Sequence, residues 1–380
     1  QPAEATDEPQ SDLRTSGANA SIVLRTLAGS VTLGNGSAPG AQTSPADDIS
    51  ISAGTGGNVL IQAGLASGDS TSDITVGADI VGVAGNVTLV ASRSVLLTGT
   101  ADVRTTSVGV ASGSIDLVAS SGSITQSTTS VLQSTGSTAR ARLLAAQSVT
   151  IGDIELSTGV VSITATAGSI LDADALVATA NDADQDITAA GLRMVAGTAI
   201  GGATNHLETT VGTLTARAAN GGIWVLEAND LIVGDVVVTV NRVLSDGSVT
   251  GSTVTDLVQS DVRTTGGNGA IVLRTSAGSI TLNDGTAAAD DTAVSANGTG
   301  SVLVQAMASG SSGVASQLAG PALSMPSRIT ALTTNGEIRL PAVVTGAGTL
   351  TMVLTVGGGP QNGSPTLSVN GSTAGVTVSG

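Results

Sequence analysis

Apolar residues along this chain come in short alternating runs, not in helical stripes. In SIDLVASSGSIT at residues 114–125, Ile115, Leu117 and Ile124 fall on one side of an extended chain, while Ser114, Asp116 and Ser123 fall on the other. A period of two marks a half-buried strand. The same unit, two short strands joined by a small-residue corner, recurs as SIVLRTLAGSVTL at 21–33, NVTLVASRSVLLTG at 86–99, VVSITATAGSIL at 160–171, GIWVLEANDLIV at 222–233 and AIVLRTSAGSITL at 270–282. Corners such as Ala28-Gly29, Ser121-Gly122, Ala167-Gly168 and Ala277-Gly278 are expected to supply the positive φ of a tight bend.

Spacing decides between stacked coils and hairpins. NVLI at 58, NVTL at 86 and SIDL at 114 are each 28 residues apart. A constant advance suits coils lying one on another, whereas a meander shows hairpin signals every 8 to 12 residues or so, about one per strand. The pattern predicts an all-β chain wound as a parallel β-helix (β-solenoid) with coils of roughly 20 to 37 residues. An antiparallel sandwich array is the alternative.

A longer period lies above the coil. Residues 6–33 recur 249 positions later at 255–282, with 19 of 28 residues identical. A weaker copy starts at Asp102, where DVRTT repeats residues 261–265 and GSIT at 122–125 repeats 278–281. This divides the chain into an N-terminal cap or donor segment (1–10), a first long repeat (11–259), a partial second repeat (260–316) and a divergent β segment or end cap (317–380). Asn362-Gly363 and Asn370-Gly371 predict hairpins in the last part. Excursions from the coils are expected at 34–48, 172–186 and 309–327. The two long copies differ where Glu8 and Pro9 replace Leu257 and Val258. Glu8 and Pro9 cannot pack or pair like their counterparts, so they are the assembly candidates, either capping the first coil or crossing to a neighbouring subunit.

Composition restricts what fills such coils. Phe, Tyr and Cys are absent and Trp224 is the sole aromatic, which leaves Leu, Ile and Val to build the core. The 51 glycines argue against long helices. All 13 basic residues are Arg, against 29 acidic residues and a formal net charge of −16. That balance argues against nucleic acid as a partner. No run approaches the roughly 18 apolar residues a bilayer span needs, so no membrane insertion is expected. The acidic start QPAEATDEPQ is no secretory signal, and export implies one already removed.

Candidate chemistry is sparse, and no catalytic or cofactor-binding residue stands out. Asp172, Asp174, Asp182, Asp184 and Asp186 form the densest acidic cluster, the candidates for a calcium site. Their spacing fits neither an EF-hand nor a calcium-binding nonapeptide, which favours a solvated loop. The pairs Asp47-Asp48 and Asp290-Asp291 are read the same way. His206, the only histidine, is expected at the surface. Glu155, Glu208 and Glu227 are the carboxylates a polysaccharide-cleaving site would use, without the aromatic and basic groups that such sites add. Arg14 with Arg263, Arg25 with Arg274 and Asp12 with Asp261 recur at equivalent positions, predicting ladders of opposite charge on one outer face.

The units GNVTLVAS, GSIDLVASSGSIT and SIVLRTLAGSVTL resemble the β-strand repeats of filamentous-haemagglutinin-like bacterial surface proteins, over residues 11–310. The resemblance implies a right-handed parallel β-helix, secretion across the bacterial envelope, and work as an adhesin shaft or extracellular matrix fibre, as in a biofilm. The expectation is a structural rod, extracellular or at the cell surface. Its partners are further copies of itself end to end, together with cell-surface or matrix glycans. The alternatives are the stalk of a giant secreted adhesin and a polysaccharide-active β-helix enzyme.

Overall fold

The computed structural model describes residues 12–35, 48–106, 113–174, 184–278 and 280–304, apart from 284, 288–292, 298–299 and 301; beyond these it describes the backbone of further strands as far as Val376–Ser379. Among the described residues there is no helix, and so none long and apolar enough to cross a membrane.

Three strands make the first coil: β1 (Leu13–Arg14), β2 (Ile22–Arg25) and β3 (Val31–Gly34). Five more coils repeat the plan: β4 (Ile49–Ala53), β5 (Val59–Ala63) and β6 (Ile74–Gly77); β7 (Asp79–Val83), β8 (Val87–Ala91) and β9 (Val95–Leu97); β10 (Val103–Thr106), β11 (Ser114–Ala119) and β12 (Ile124–Thr125); β13 (Val131–Ser134), β14 (Arg140–Ala145) and β15 (Val149–Ile151); β16 (Asp153–Glu155), β17 (Val160–Ala165) and β18 (Ile170–Asp172). Then β19 (Ile187–Ala196) and β20 (Leu207–Ala218) each run straight through the corner between the first two faces. That continuity merges those faces into one large sheet, while β3, β6, β9, β12, β15 and β18 form the third.

Every pairing between coils is parallel. The ladder Ile22, Val59, Val87, Ile115, Ala141, Val161, Leu192, Leu214 advances by 37, 28, 28, 26, 20, 31 and 22 residues, which matches the range the sequence predicts. Leu24, Ile61, Leu89, Leu117, Leu143, Ile163 and Met194 form the neighbouring column on the same face. The other two faces add Ile51, Ile80, Val103, Leu132, Ile154 and Ile187, and Ile74, Val95, Ile124, Val149, Ile170 and Ile200. From the second coil to the seventh all these side chains are fully buried. A large parallel sheet thus winds nearly closed as a solenoid around an aliphatic core, which stacked methyl-rich residues fill without aromatic anchors.

The 28-residue spacing has a polar cause as well. Gly57, Gly85 and Gly113 stack so closely that a Cβ on Gly85 would lie 1.8 Å from the Gly57 carbonyl oxygen, and one on Gly113 1.5 Å from that of Gly85. Each is followed by a buried side chain, and those of Asn58 and Asn86 bond to the next coil. The Asn86 amide N–H donates to Asn58 Oδ1 (2.9 Å), and the Ser114 amide N–H to Asn86 Oδ1 (2.9 Å). These side chains satisfy corner amides that the strand ladders leave over. The corner glycines chosen from sequence divide into two kinds. Gly29 and Gly278 have positive φ; Gly122 and Gly168 do not, and are there because a Cβ would strike the coil below.

After β21 (Ile223–Glu227) and β22 (Leu231–Val233) comes an antiparallel hairpin, β23 (Val236–Asn241) and β24 (Thr253–Gln259). It folds back along the outside of the merged sheet. Successive anchors are Gln259 on the Met194 carbonyl, Asp256 on Ser162 and Arg142, Arg242 on Asp116, the Val243 amide on Thr88, and the Gly247 carbonyl, which accepts from Asn58 and Ser21. One strap therefore ties seven coils, from that of Ser21 to that of Met194. Its inner face buries Val236, Val238 and Val240 against Val160 and Val254. The turn carries Asp246-Gly247, a hairpin signal in the sequence, with Gly247 at φ +81°. Leu257, the counterpart of Glu8, lies in this strap and is 75% exposed, and Val258 is 43% exposed. Glu8 and Pro9 lie outside the described residues.

The chain then returns as β25 (Val262–Thr264), β26 (Ile271–Thr275) and β27 (Ile280–Leu282), which stack on the end of β20, on β21 and on β22. Val262, the counterpart of Leu13, stands in the column of Ala216 and Met194, which leads back to Leu24, not to Leu13. The hairpin is thus inserted in the middle of a face, and the second copy restarts one face further round. Within 317–380 the described strands also pair in parallel, Leu350–Val353 with Val376–Ser379 and Glu337–Leu340 with Leu367–Val369. Asn362-Gly363 and Asn370-Gly371, where hairpins are expected, lie outside the described residues.

Candidate functional site

One acid recurs just before the first core residue of a coil: Asp12-Leu13, Asp79-Ile80, Asp102-Val103, Asp153-Ile154, Asp186-Ile187 and Asp261-Val262. Position explains the choice. Asp79 accepts the Asp102 amide (2.9 Å), Asp102 the Val131 amide (2.6 Å) and Asp186 the Glu208 amide (2.7 Å). A carboxylate here completes the corner where the backbone ladder is interrupted.

Stacked carboxylates repel, and after three of these six acids an arginine two residues on compensates. Arg14 pairs with Asp12 (3.1 Å), Arg263 with Asp261 (3.0 Å), and Arg104 with Asp102 while reaching Asp79 (3.6 Å). Of the recurring charges expected from sequence, Asp12 with Arg14 and Asp261 with Arg263 are therefore pairs within a coil, Arg25 instead donates to Gln62 of the next coil, and Arg104 bridges two coils. After Asp153 and Asp186 the equivalent residues are Glu155 and Thr188, and no arginine follows. Burial pushes Asp153 up to about 7, with the nearby charges of Glu155 and Asp184 adding to it. Burial pushes Asp186 up to about 10, reinforced by the charge of Asp172 and opposed by the Glu208 N–H.

Chain geometry gathers these acids. One coil earlier, Gly152 alone joins β15 to β16. Here residues 173–186 separate β18 from β19, leaving at Asp172 and returning at Asp186. Asp172, Asp186 and Glu208 each bring a carboxylate oxygen into a group whose members all lie within 4.8 Å of one another. Asp172 is half-buried; the other two are buried. The Asp174 amide donates to Asp172 Oδ1 (2.9 Å), and Asn205 Nδ2 to the Asp174 carbonyl (2.8 Å), tying down the exit of the loop. Such an all-oxygen set suits a hard divalent cation, although three protein oxygens are fewer than the roughly six to eight that calcium takes. Without a cation, a proton held on Asp186 relieves the repulsion.

Of the calcium candidates, the fold brings Asp172 and Asp186 together. Asp184 acts on Asp153, Asp174 stays at the loop exit, and Asp182 lies outside the described residues, as do Asp47, Asp290 and Asp291. Glu208 was missed as a member. Its offset of 22 residues from Asp186 is one coil, and coil length was the signal that would have found it.

The remaining candidates separate. His206 is buried, contrary to the surface position expected: burial and the positive charge of Arg274 hold its imidazole below the ordinary range, and Nδ1 has no hydrogen-bond partner. Glu227 is in register with Thr209 and takes the Thr209 hydroxyl (2.7 Å) and the Val211 amide (3.0 Å), while Glu208 is in register with Leu226. Alternation along the strands puts Glu208 and Glu227 on opposite sides of the sheet. Glu155 bonds Gln133. The three glutamates do not converge into one carboxylate pair. Set against protein-family models, curated proteins and solved structures, the chain has no match.

Proposed function

We propose that this chain is a structural protein, a stiff right-handed β-solenoid rod that works outside the cell and assembles end to end into a surface or matrix fibre. The observation that carries this reading is the continuity of the parallel ladders, which run coil on coil from Leu13 to Ser379, with aliphatic columns beneath them as far as Val304. Such an object resists bending because a bend must stretch many backbone hydrogen bonds at once. Right-handedness is supported by the strong preference of parallel crossover connections. The strap adds to stiffness by tying seven coils lengthwise. Negative-stain electron microscopy of the purified chain tests the proposal. Narrow rods, and filaments of the same width at higher concentration, are the expected result. Compact, isotropic particles would overturn it.

A further inference from the structure

Charge is sorted across the face that carries the strap. No basic residue stands between Arg142 and Arg193, a stretch that holds seven acids. Of these, Glu155 and Asp184 are exposed and Asp172 is half-buried, at the edge of the face where β19 begins. The other edge is basic. Arg217, exposed near the end of β20, stands in register with Arg263 of the next coil. Arg263 has Asp261 as its partner, whereas Arg217 forms no ion pair among the described residues. Burial holds the Arg193 guanidinium below the ordinary arginine range, and the charges of Arg217 and Arg142 add to this against the pull of Asp256.

The strap separates the two edges. It crosses β19 between Gly191, where Val236 packs, and Met194, whose carbonyl takes Gln259. Asp186 precedes that crossing, and Arg217, in register with Val195, lies beyond it. Pairing of β23 with β24 slips between Val236 and Val238, so that Leu257 and Val258 share the place opposite Val237. This bulge turns apolar side chains outward. Leu257 is 75% exposed, Val237 51% and Val258 43%. An apolar centre flanked by opposite charges is the anatomy of a protein interface.

We propose that this face pairs two copies of the chain side by side, about a two-fold axis parallel to the rod. Charge complementarity chooses both the partner and the axis. Turned about such an axis, a second copy sets its Arg217 edge over the acids of the first and its own acids over the first copy's Arg217, and the two strap bulges meet between them. A two-fold axis running across the rod would instead set acid on acid. Paired rods therefore point the same way. The acids around Glu155 then receive from a neighbour the guanidinium that Asp12, Asp102 and Asp261 have two residues on in their own coils.

Pairing runs sideways and is separate from end-to-end joining. The test measures wild type, Arg217→Glu, Glu155→Arg and Leu257→Ser by sedimentation velocity over a concentration series, with rod width from electron microscopy. End-to-end growth adds length, whereas pairing doubles the width of rod and filament alike. Wild type should reach the double width. Each variant should keep the wild-type circular dichroism spectrum and need a concentration about tenfold higher or more to pair, because like charges then meet or the apolar centre is lost. Arg217→Glu mixed with Glu155→Arg offers a matched arrangement again, so the mixture should regain the double width that neither variant reaches alone. A wild-type chain of single width at every concentration would overturn the pairing. So would variants that pair as wild type does, or a mixture no better than its components.

Discussion

Arg142 donates Nη1 to Asp116 at 3.0 Å from a position where Asp116 is fully buried beneath the strap. The same guanidinium donates Nε to Asp256 on the strap (3.0 Å), and Arg242 of the strap returns to Asp116 (2.7 Å). Two carboxylates and two guanidinium groups thus lock the hairpin to the coils with their charges balanced.

Removing one member should therefore cost more than the pair contributes. Arg142→Met is expected to destabilise the chain by about 3 kcal/mol, because Asp116 and Asp256 lose a shared cation in a buried setting. Replacing Asp116, Arg142, Asp256 and Arg242 together by apolar residues of similar volume should restore much of the loss. Urea unfolding of the two variants measures the difference, and equal destabilisation would contradict it.

The close-packed corners predict a steric effect that polarity cannot rescue. Gly85→Ala puts a methyl group 1.8 Å from a backbone oxygen, so adjacent coils must move apart. Hydrogen exchange should show loss of protection in β5, β8 and β11. Asn86→Ala leaves the Ser114 amide without its acceptor and should cost about 1 to 3 kcal/mol. A melting temperature unchanged in either variant would remove the ladder from the account of stability.

Asp153 and Asp186 set a pH dependence of definite sign. Both bind a proton more tightly in the folded state than the ordinary aspartate value of about 3.9. Their contribution to stability is complete below that value. It is lost as pH rises, through about 7 for Asp153 and about 10 for Asp186. The lowered carboxylates Asp69, Asp73 and Asp246 finish titrating below this window. Melting temperature should fall from pH 5 to pH 10, and the Asp153→Asn, Asp186→Asn double variant should reduce the slope, leaving the part that comes from Glu227, which burial pushes up to about 7. A slope that the double variant leaves untouched would dismiss both groups as its source.

His206 gives a spectroscopic check, because it is the only histidine in the chain. Its folded-state value is held below the ordinary one by burial. Stability from the neutral ring is present above about 6.5 and lost as pH falls through the folded value. Proton–nitrogen correlation spectra over a pH series should place the ring's titration below the ordinary value of about 6.5. A titration at or above that value would mean the ring is solvated.

Much of the fold was legible because stacking converts spacing into contact. Val59, Val87 and Ile115 occupy one column because they are one coil apart, and the Gly-Asn or Gly-Ser corner before each explains why that step is constant. The acidic cluster was legible only by halves. Asp172 and Asp186 are near in sequence, but Glu208 joins them through coil length, and coil length changes from coil to coil. The buried state of His206 and the strap were hidden for a different reason. Local pattern reports which residues alternate, and not which outer face a later segment will cover. The Arg that follows Asp12, Asp102 and Asp261 was visible; its absence after Asp153 and Asp186 acquired meaning only when those acids proved buried.

The restart of the second copy one face further round also governs display. In a chain carrying further copies of the 249-residue unit, each strap would emerge at a new azimuth, stepping about a third of a turn per unit. Equivalent surfaces would spiral around the shaft like leaves on a stem. A flat wall could then meet some of them whatever the rotation of the fibre, and neighbouring fibres could not zip together along a single stripe.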